Sequence, residues 1–102
     1  MKQPRYTHFG ILYKEKYFVF GGRYYGVDKI GILKHVEFFD LKTWRWKTAA
    51  PMLRRRCTGN VICLNEVIFV FGGYTGNKTR DRLVEKYDYE KDMWIDIKFK
   101  IA

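Results

Sequence analysis

Two segments of this chain occur twice, in the same order. Phe18-Val19-Phe20-Gly21-Gly22 returns as Phe69-Val70-Phe71-Gly72-Gly73, a shift of 51 residues. Val36-Glu37-Phe38-Phe39-Asp40 returns as Val84-Glu85-Lys86-Tyr87-Asp88, a shift of 48 residues, and a tryptophan follows each six residues later. The first copy therefore has three extra residues between its two blocks. A period near fifty residues is typical of architectures that stack one structural unit per repeat.

Each copy is predicted to form four short strands. Aromatic residues make up 19% of the chain, and they favour pleated, half-buried surfaces. The predicted strands cover residues 6–12, 17–20, 35–39 and 44–48 in the first copy, and 57–64, 67–71, 83–87 and 93–99 in the second. Polar loops are predicted at 23–34 and 74–82. The second strand of each copy is a continuous apolar run, which indicates a strand buried on both faces between neighbouring sheets. Short, evenly spaced strands with this period select a β-propeller.

The combination of motifs resembles the kelch repeat. The resemblance rests on a double glycine after an aromatic-rich strand, then an aromatic-Asp pair, then a tryptophan. Segments 4–5 and 50–56 are similar to the stretches between kelch repeats. The resemblance implies an all-β fold of two four-stranded antiparallel kelch blades, part of a β-propeller, with blade 1 at residues 1–51 and blade 2 at residues 52–102. It also implies a protein–protein interaction module, often the substrate-binding part of a ubiquitin ligase adaptor or a cytoskeletal partner.

Kelch propellers usually close with five to seven blades, and this sequence has two repeats. Three explanations stay open: a piece of a longer chain, a self-assembling protomer, or two blades that complete a partner. Repeat proteins need about three units for stability. If the chain is a whole product, we expect a homo-oligomer, most simply a trimer.

The resemblance implies that the loops of one propeller face bind the partner, and the predicted partner-binding residues lie in those loops. Arginine binds carboxylates with forked hydrogen bonds, and tyrosine adds rigid contact area. The candidates are Arg23, Tyr24, Tyr25, Arg54, Arg55, Tyr74, Asn77, Lys78 and Arg80. With a net charge of +9, they predict a basic, tyrosine-rimmed surface for an acidic protein segment. Arg5 and Arg56 occupy one repeated position, and a structural role is the stronger interpretation for them.

Other prominent residues are assigned to the structure. The glycine pairs, Asp40, Asp88, Tyr87, Trp46 and Trp94 belong to the framework, and Trp44 is left open between contact and packing. Cys57 and Cys63 are interpreted as small buried residues of a reducing compartment, because an extended strand holds them about 20 Å apart, beyond disulfide reach.

Enzymatic activity is not expected. The chain contains no serine and two histidines, His8 and His35, without a ligand or nucleophile motif. No cofactor or metal is predicted. Basic charge and abundant tyrosine leave nucleic-acid binding as an alternative function, and an architectural subunit of a large assembly is another. No apolar run is long enough to cross a membrane, so a cytoplasmic protein is expected.

Overall fold

The structure is a computed structural model that describes residues 5–25, 30–74 and 83–100. Within these ranges it contains β-strands and turns, without a helix. The strands are β1 Phe9–Tyr13, β2 Lys16–Phe20, β3 Arg23–Tyr25, β4 Ile30–Ile32, β5 Val36–Asp40, β6 Arg45–Ala49, β7 Asn60–Leu64, β8 Val67–Phe71, β9 Leu83–Asp88 and β10 Met93–Lys100.

Eight of these strands form two sheets of the same design. Sheet 1 has the strand order β1-β2-β5-β6, and sheet 2 has the order β7-β8-β9-β10, with antiparallel neighbours throughout. Val84 to Tyr87 of β9 pair with β8 as Val36 to Phe39 of β5 pair with β2. Glu85 to Asp88 pair with β10 as Glu37 to Asp40 pair with β6, so the sequence repeat is also a structural repeat. The predicted all-β fold of four-stranded antiparallel blades is confirmed.

The two tight turns of the repeat have unusual backbone geometry for their residues. Lys14 and Glu15 join β1 to β2 with φ of 49° and 60°, and Asn65 and Glu66 join β7 to β8 with φ of 49° and 64°. Positive φ at both central residues belongs to the type I′ turn, whose twist matches that of a hairpin. The turns therefore direct each second strand back alongside the first.

The core lies between the two sheets. Phe18, Phe20 and Val36 of sheet 1 are buried against Ile68 and Val70 of sheet 2. Tyr87 and Trp94 complete the cluster from sheet 2, with Met52 of the connecting segment between the sheets. Burying side chains of this size stabilises a fold by roughly 1.5–3 kcal/mol each, so the contact between the sheets holds the molecule together.

Two predictions about strand limits were wrong. β1 begins at Phe9 and β7 at Asn60, later than expected, because Thr7 and Thr58 have φ of 55° and 50° and cannot continue an extended strand. The loop predicted at 23–34 contains a small antiparallel hairpin of β3 and β4, with Arg23 opposite Ile32. Residues 75–82 of the second predicted loop lie outside the described residues.

Two predictions about burial were also wrong. Tyr17 of β2 is 42% exposed, and Phe69 and Phe71 of β8 are half-buried, because each sheet has one face without a neighbouring sheet among the described residues. Cys63 is exposed rather than buried, while Cys57 is buried, and both are free thiols.

Candidate interaction surface

A buried ion pair recurs in both repeats and forms the base of the surface. Arg56 donates to Glu85 Oε2 from Nη2 at 2.9 Å and from Nε at 3.1 Å, and both side chains are 0% exposed. Arg5 makes the equivalent contact with Glu37, 2.6 Å from Nη2 to Oε1. Burial lowers the pKa of Arg5, and the Glu37 carboxylate opposes that shift. Each buried charge thus has its counter-charge in place.

These arginines also bind the backbone at the double glycines. Arg5 Nη1 donates to the Gly21 carbonyl at 3.0 Å, and Arg56 Nη1 donates to the Gly72 carbonyl at 2.9 Å. The Gly22 amide in turn donates to the Arg56 carbonyl at 2.8 Å and joins the two sheets. Buried and fully engaged, Arg5 and Arg56 have the structural role that the sequence favoured.

An open cleft of about 490 Å³ lies where the two repeats meet on this face. Tyr6 pairs with Arg23 in the first repeat, and Cys57 pairs with Tyr74 in the second, through equivalent antiparallel bridges. The Thr58 amide donates to the Thr7 carbonyl at 2.8 Å and links the two bridges. The cleft is lined by Tyr6, Thr7, Arg23, Cys57, Thr58 and Tyr74.

Arg23 and Tyr74, two of the predicted site residues, meet in this cleft. The guanidinium carbon of Arg23 lies 5.5 Å from the centroid of the Tyr74 ring, within the range of a cation–π contact. A hydrogen bond to Cys57 raises the pKa of Arg23, which keeps its charge. The contact holds the guanidinium over an aromatic face, and the residue as a whole is half-buried. Such a group suits a carboxylate.

None of the other predicted site residues that the structure describes lines the cleft. The ring of Tyr24 packs over Gly31, where a β-carbon would collide with it. Arg54 Nη2 donates to Asp96 Oδ2 at 2.8 Å, so its charge already has a partner. Arg55 is exposed, and its Nη1 donates to the Ile32 carbonyl at 3.2 Å. Tyr25 belongs to β3, whereas Asn77, Lys78 and Arg80 lie outside the described residues.

Sequence reasoning missed several residues of this region. Tyr6, Thr7, Cys57 and Thr58 line the cleft but were assigned to strands. The signal was present, because Thr7 and Thr58 align at the shift of 51 residues, two positions after the repeated arginine. The sequence likewise showed Glu37 and Glu85 only as members of the repeated block, without predicting their ion pairs.

The structure has two stacked, four-stranded antiparallel sheets of the kind that form β-propeller blades, with an open cleft where the sheets meet. The family model "Kelch motif" matches residues 55–98. The chain is 34% identical over 95 residues to Kelch-like protein 7 of Mus musculus, covering 93% of this chain and 15% of that protein. It is 28% identical to Kelch-like protein 26 of Danio rerio, covering 92% and 16%. It is 31% identical to Alpha-scruin of Limulus polyphemus, covering 92% and 11%.

The chain belongs to the kelch repeat family. Family membership supports a protein–protein interaction module rather than an enzyme. The chain spans 11–16% of the length of these curated relatives. In the part of the chain that the structure describes, no helix is long and apolar enough to cross a membrane. The two sheets are called blade 1 and blade 2 below.

Proposed function

We propose that this chain binds an acidic segment of a protein partner at the cleft between Arg23 and Tyr74. The observation that carries the proposal is the Arg23 guanidinium, held over the Tyr74 ring at the junction of the blades. Exposed Arg55 adds a second positive charge near β4, and the chain has 20 lysines and arginines against 11 acidic residues. A net positive field attracts an acidic segment, and arginine and tyrosine supply the short-range contacts.

Charge reversal at Arg23 tests the proposal. The probe is a fluorescent peptide rich in glutamate, with a glutamine-substituted peptide of the same length for comparison. We expect Arg23→Glu to weaken binding of the glutamate peptide at least about tenfold, because a charge-assisted contact becomes a repulsion. Arg45→Glu makes the same change in net charge at an exposed position of β6 and is expected to cost less than about threefold. Equal losses in the two variants, or equal binding of both peptides, would refute the proposed site.

Nucleic-acid binding is a second candidate, favoured by the net charge of +9. A gel-shift titration with single-stranded RNA and DNA at rising salt separates the two functions. Affinity that falls steeply with salt favours nucleic acid, and absence of binding at low salt excludes it. A purely architectural role in a large assembly is a third candidate, in which the basic loops meet acidic neighbours without a separable ligand.

The chain's cellular setting and its quaternary structure are also proposals. We place the border between the two blades at residues 51 and 52, and the chain in the cytoplasm, where it acts as an adaptor. The uncovered blade faces are completed by further blades, from more copies of the chain or from a longer chain. Three copies would give a ring of six blades, a trimer.

A further inference from the structure

The junction between the two blades has a polar edge. Lys16 Nζ of blade 1 donates to the Tyr89 hydroxyl of blade 2 at 2.8 Å. The Tyr13 hydroxyl donates to the Glu66 carbonyl at 2.6 Å, and the Tyr13 and Tyr89 rings meet edge to face at 5.3 Å. Tyr13, Lys16 and Tyr89 therefore form one cluster across the junction, called the inner cluster, in which every polar tip has a partner.

The equivalent positions on the two outer blade faces are all aliphatic. The shift of 51 residues takes Tyr13 to Leu64 and Lys16 to Val67, on the outer face of blade 2. The shift of 48 residues takes Tyr89 to Leu41, on the outer face of blade 1. Leu64 is 57% exposed and Leu41 is 42% exposed. The polar groups that meet in the inner cluster are therefore replaced by aliphatic groups on both outer faces.

A second contact of the junction shows the same change. Asp92 Oδ1 accepts the Tyr87 hydroxyl at 2.6 Å and the Ala50 amide at 2.9 Å, which joins the blades. On the outer face of blade 1, Tyr87 and Asp92 correspond to Phe39 and Trp44. Those rings meet edge to face at 5.6 Å, and Trp44 is 74% exposed. The hydrogen-bonded pair has become an aromatic pair.

Strand β6 and its equivalent β10 show the same difference, with mainly polar residues at the junction and apolar residues on the outer face. Along β6, alternate positions that face the junction are Arg45, Lys47 and Ala49. Their equivalents on the outer face of blade 2 are Met93, Ile95 and Ile97, all exposed. Lys86 is an exception, because it is a charged residue where blade 1 has the apolar Phe38. Its long side chain can extend to the rim.

We infer that the outer face of blade 2 in one copy of this chain packs against the outer face of blade 1 in a second copy. Leu64 and Val67 of one copy pack on Leu41 of the next, with Met93, Ile95 and Ile97 near Trp44. An ammonium or hydroxyl buried opposite an aliphatic face would lose its partner, so each outer face matches the other better than it matches an inner face. The contact is head to tail, and such contacts close into a ring when the rotation allows. This inference rests on the proposed completion of the ring by copies.

A double-mutant cycle that rebuilds the inner pair at the outer faces tests the inference. Light scattering and sedimentation equilibrium of the whole chain measure association. We expect the unmodified chain to associate, and Val67→Lys to weaken association at least about tenfold because an ammonium is buried without an acceptor. Adding Leu41→Tyr should recover at least about threefold by recreating the Lys16–Tyr89 pair. The control is Leu53→Lys, at a 50% exposed leucine of the segment between the sheets, which should associate like the unmodified chain.

The inference is wrong if the unmodified chain is a folded monomer at about 100 µM. It is also wrong if Val67→Lys leaves association unchanged, if Leu53→Lys weakens association as much as Val67→Lys does, or if the double variant recovers no association. If Val67→Lys does not fold, Leu41→Lys, in an exposed turn, must weaken association instead. Peptide binding measured on the same samples separates this inference from the proposed function. A monomer that binds the glutamate peptide refutes only the pairing of the faces, and an assembled chain that does not bind refutes only the peptide site.

Discussion

At the residue scale, Arg5–Glu37 and Arg56–Glu85 are ion pairs whose side chains are almost completely buried. Glu85 also accepts the Leu53 amide at 2.6 Å and the Arg54 amide at 3.3 Å. The carboxylate therefore neutralises a guanidinium and ties down the segment between the sheets. Removal of one partner leaves the other as a buried, uncompensated charge.

Arg56→Met is expected to lower the free energy of unfolding by about 3–5 kcal/mol, because Glu85 would stay buried without its counter-charge. The change is measured by urea denaturation followed through tryptophan fluorescence. Arg55→Met removes the same charge from the exposed neighbouring residue and should cost less than about 0.5 kcal/mol. A loss below about 1 kcal/mol for Arg56→Met would contradict the structural role of the pair.

Histidine protonation is expected to weaken the fold as the pH falls. Burial and the positive charge of Arg5 lower the pKa of His8, and the same two causes lower the pKa of His35. The unfolded chain then takes up protons first, so the histidine contribution is fully present above a pH of about 6.5 and is lost on acidification below it. His8→Gln should flatten the fall of the urea midpoint between about pH 8 and pH 5. Parallel curves for the variant and the unmodified chain would show that His8 contributes nothing.

At the element scale, each double glycine ends a strand, and Gly21 also lies against the neighbouring repeat. Gly21 has a φ of 58°, and a β-carbon there would collide with the carbonyl oxygen of Arg56 in the neighbouring repeat. Gly72 has a similar φ of 70°, but the nearest atom to such a β-carbon is Asn60 Nδ2 at 3.1 Å. The two positions share the backbone requirement and differ in the contact between blades.

Alanine at these two glycines separates the two effects. Gly72→Ala should cost about 1–2 kcal/mol of unfolding free energy, from the left-handed backbone alone. Gly21→Ala should cost about 1–3 kcal/mol more, because the added methyl group overpacks the junction. Both values come from urea denaturation. Equal costs would mean that the Gly21–Arg56 approach is not a feature of the folded chain.

The Tyr87–Asp92 hydrogen bond is a second test of the junction. Tyr87→Phe should destabilise the fold by about 1 kcal/mol, because Asp92 loses a donor at the blade contact. Burial raises the pKa of Tyr87, and the hydrogen bond to Asp92 adds to the shift, as expected of a phenol held in its neutral form. Tyr17→Phe, at an exposed tyrosine of the outer face, is the matched control and should leave the midpoint unchanged. A larger loss for Tyr17→Phe would reverse the assignment of inner and outer faces.

Much of the element scale could be predicted from the repeat, and the reasons are physical. Apolar runs ended by Gly21-Gly22 and Gly72-Gly73 fix where the central strands stop, because glycine accepts positive φ. The hairpin of β3 and β4 was missed, since strands of three residues are too short to show an alternating pattern. Burial of Glu37 and Glu85 was missed because glutamate is rarely buried without a partner, and each partner is distant in the sequence. The Arg23–Tyr74 contact needs both repeats in place, so one repeat alone could not predict it.

At the scale of the whole molecule, the net charge of +9 governs encounter with partners. Electrostatic attraction between separated charges is screened within about 8 Å at physiological ionic strength. The association rate of the glutamate peptide should therefore fall at least about fivefold between low and high salt, whereas the glutamine peptide should change little. Stopped-flow fluorescence measures both rates. Equal salt dependence for the two peptides would contradict an electrostatic attraction.

The central claim is that the two blades stack face to face, joined by backbone hydrogen bonds between them. Hydrogen exchange of individual amides by NMR tests it most directly. The amides of Gly22, Arg56 and Thr58 donate to Arg56, Leu33 and Thr7 across the junction at 2.8, 3.0 and 2.8 Å. The account predicts that they exchange about as slowly as amides of the central strands β2 and β8. Exchange of all three at the rate of an unfolded chain, while β2 and β8 stay protected, would contradict it.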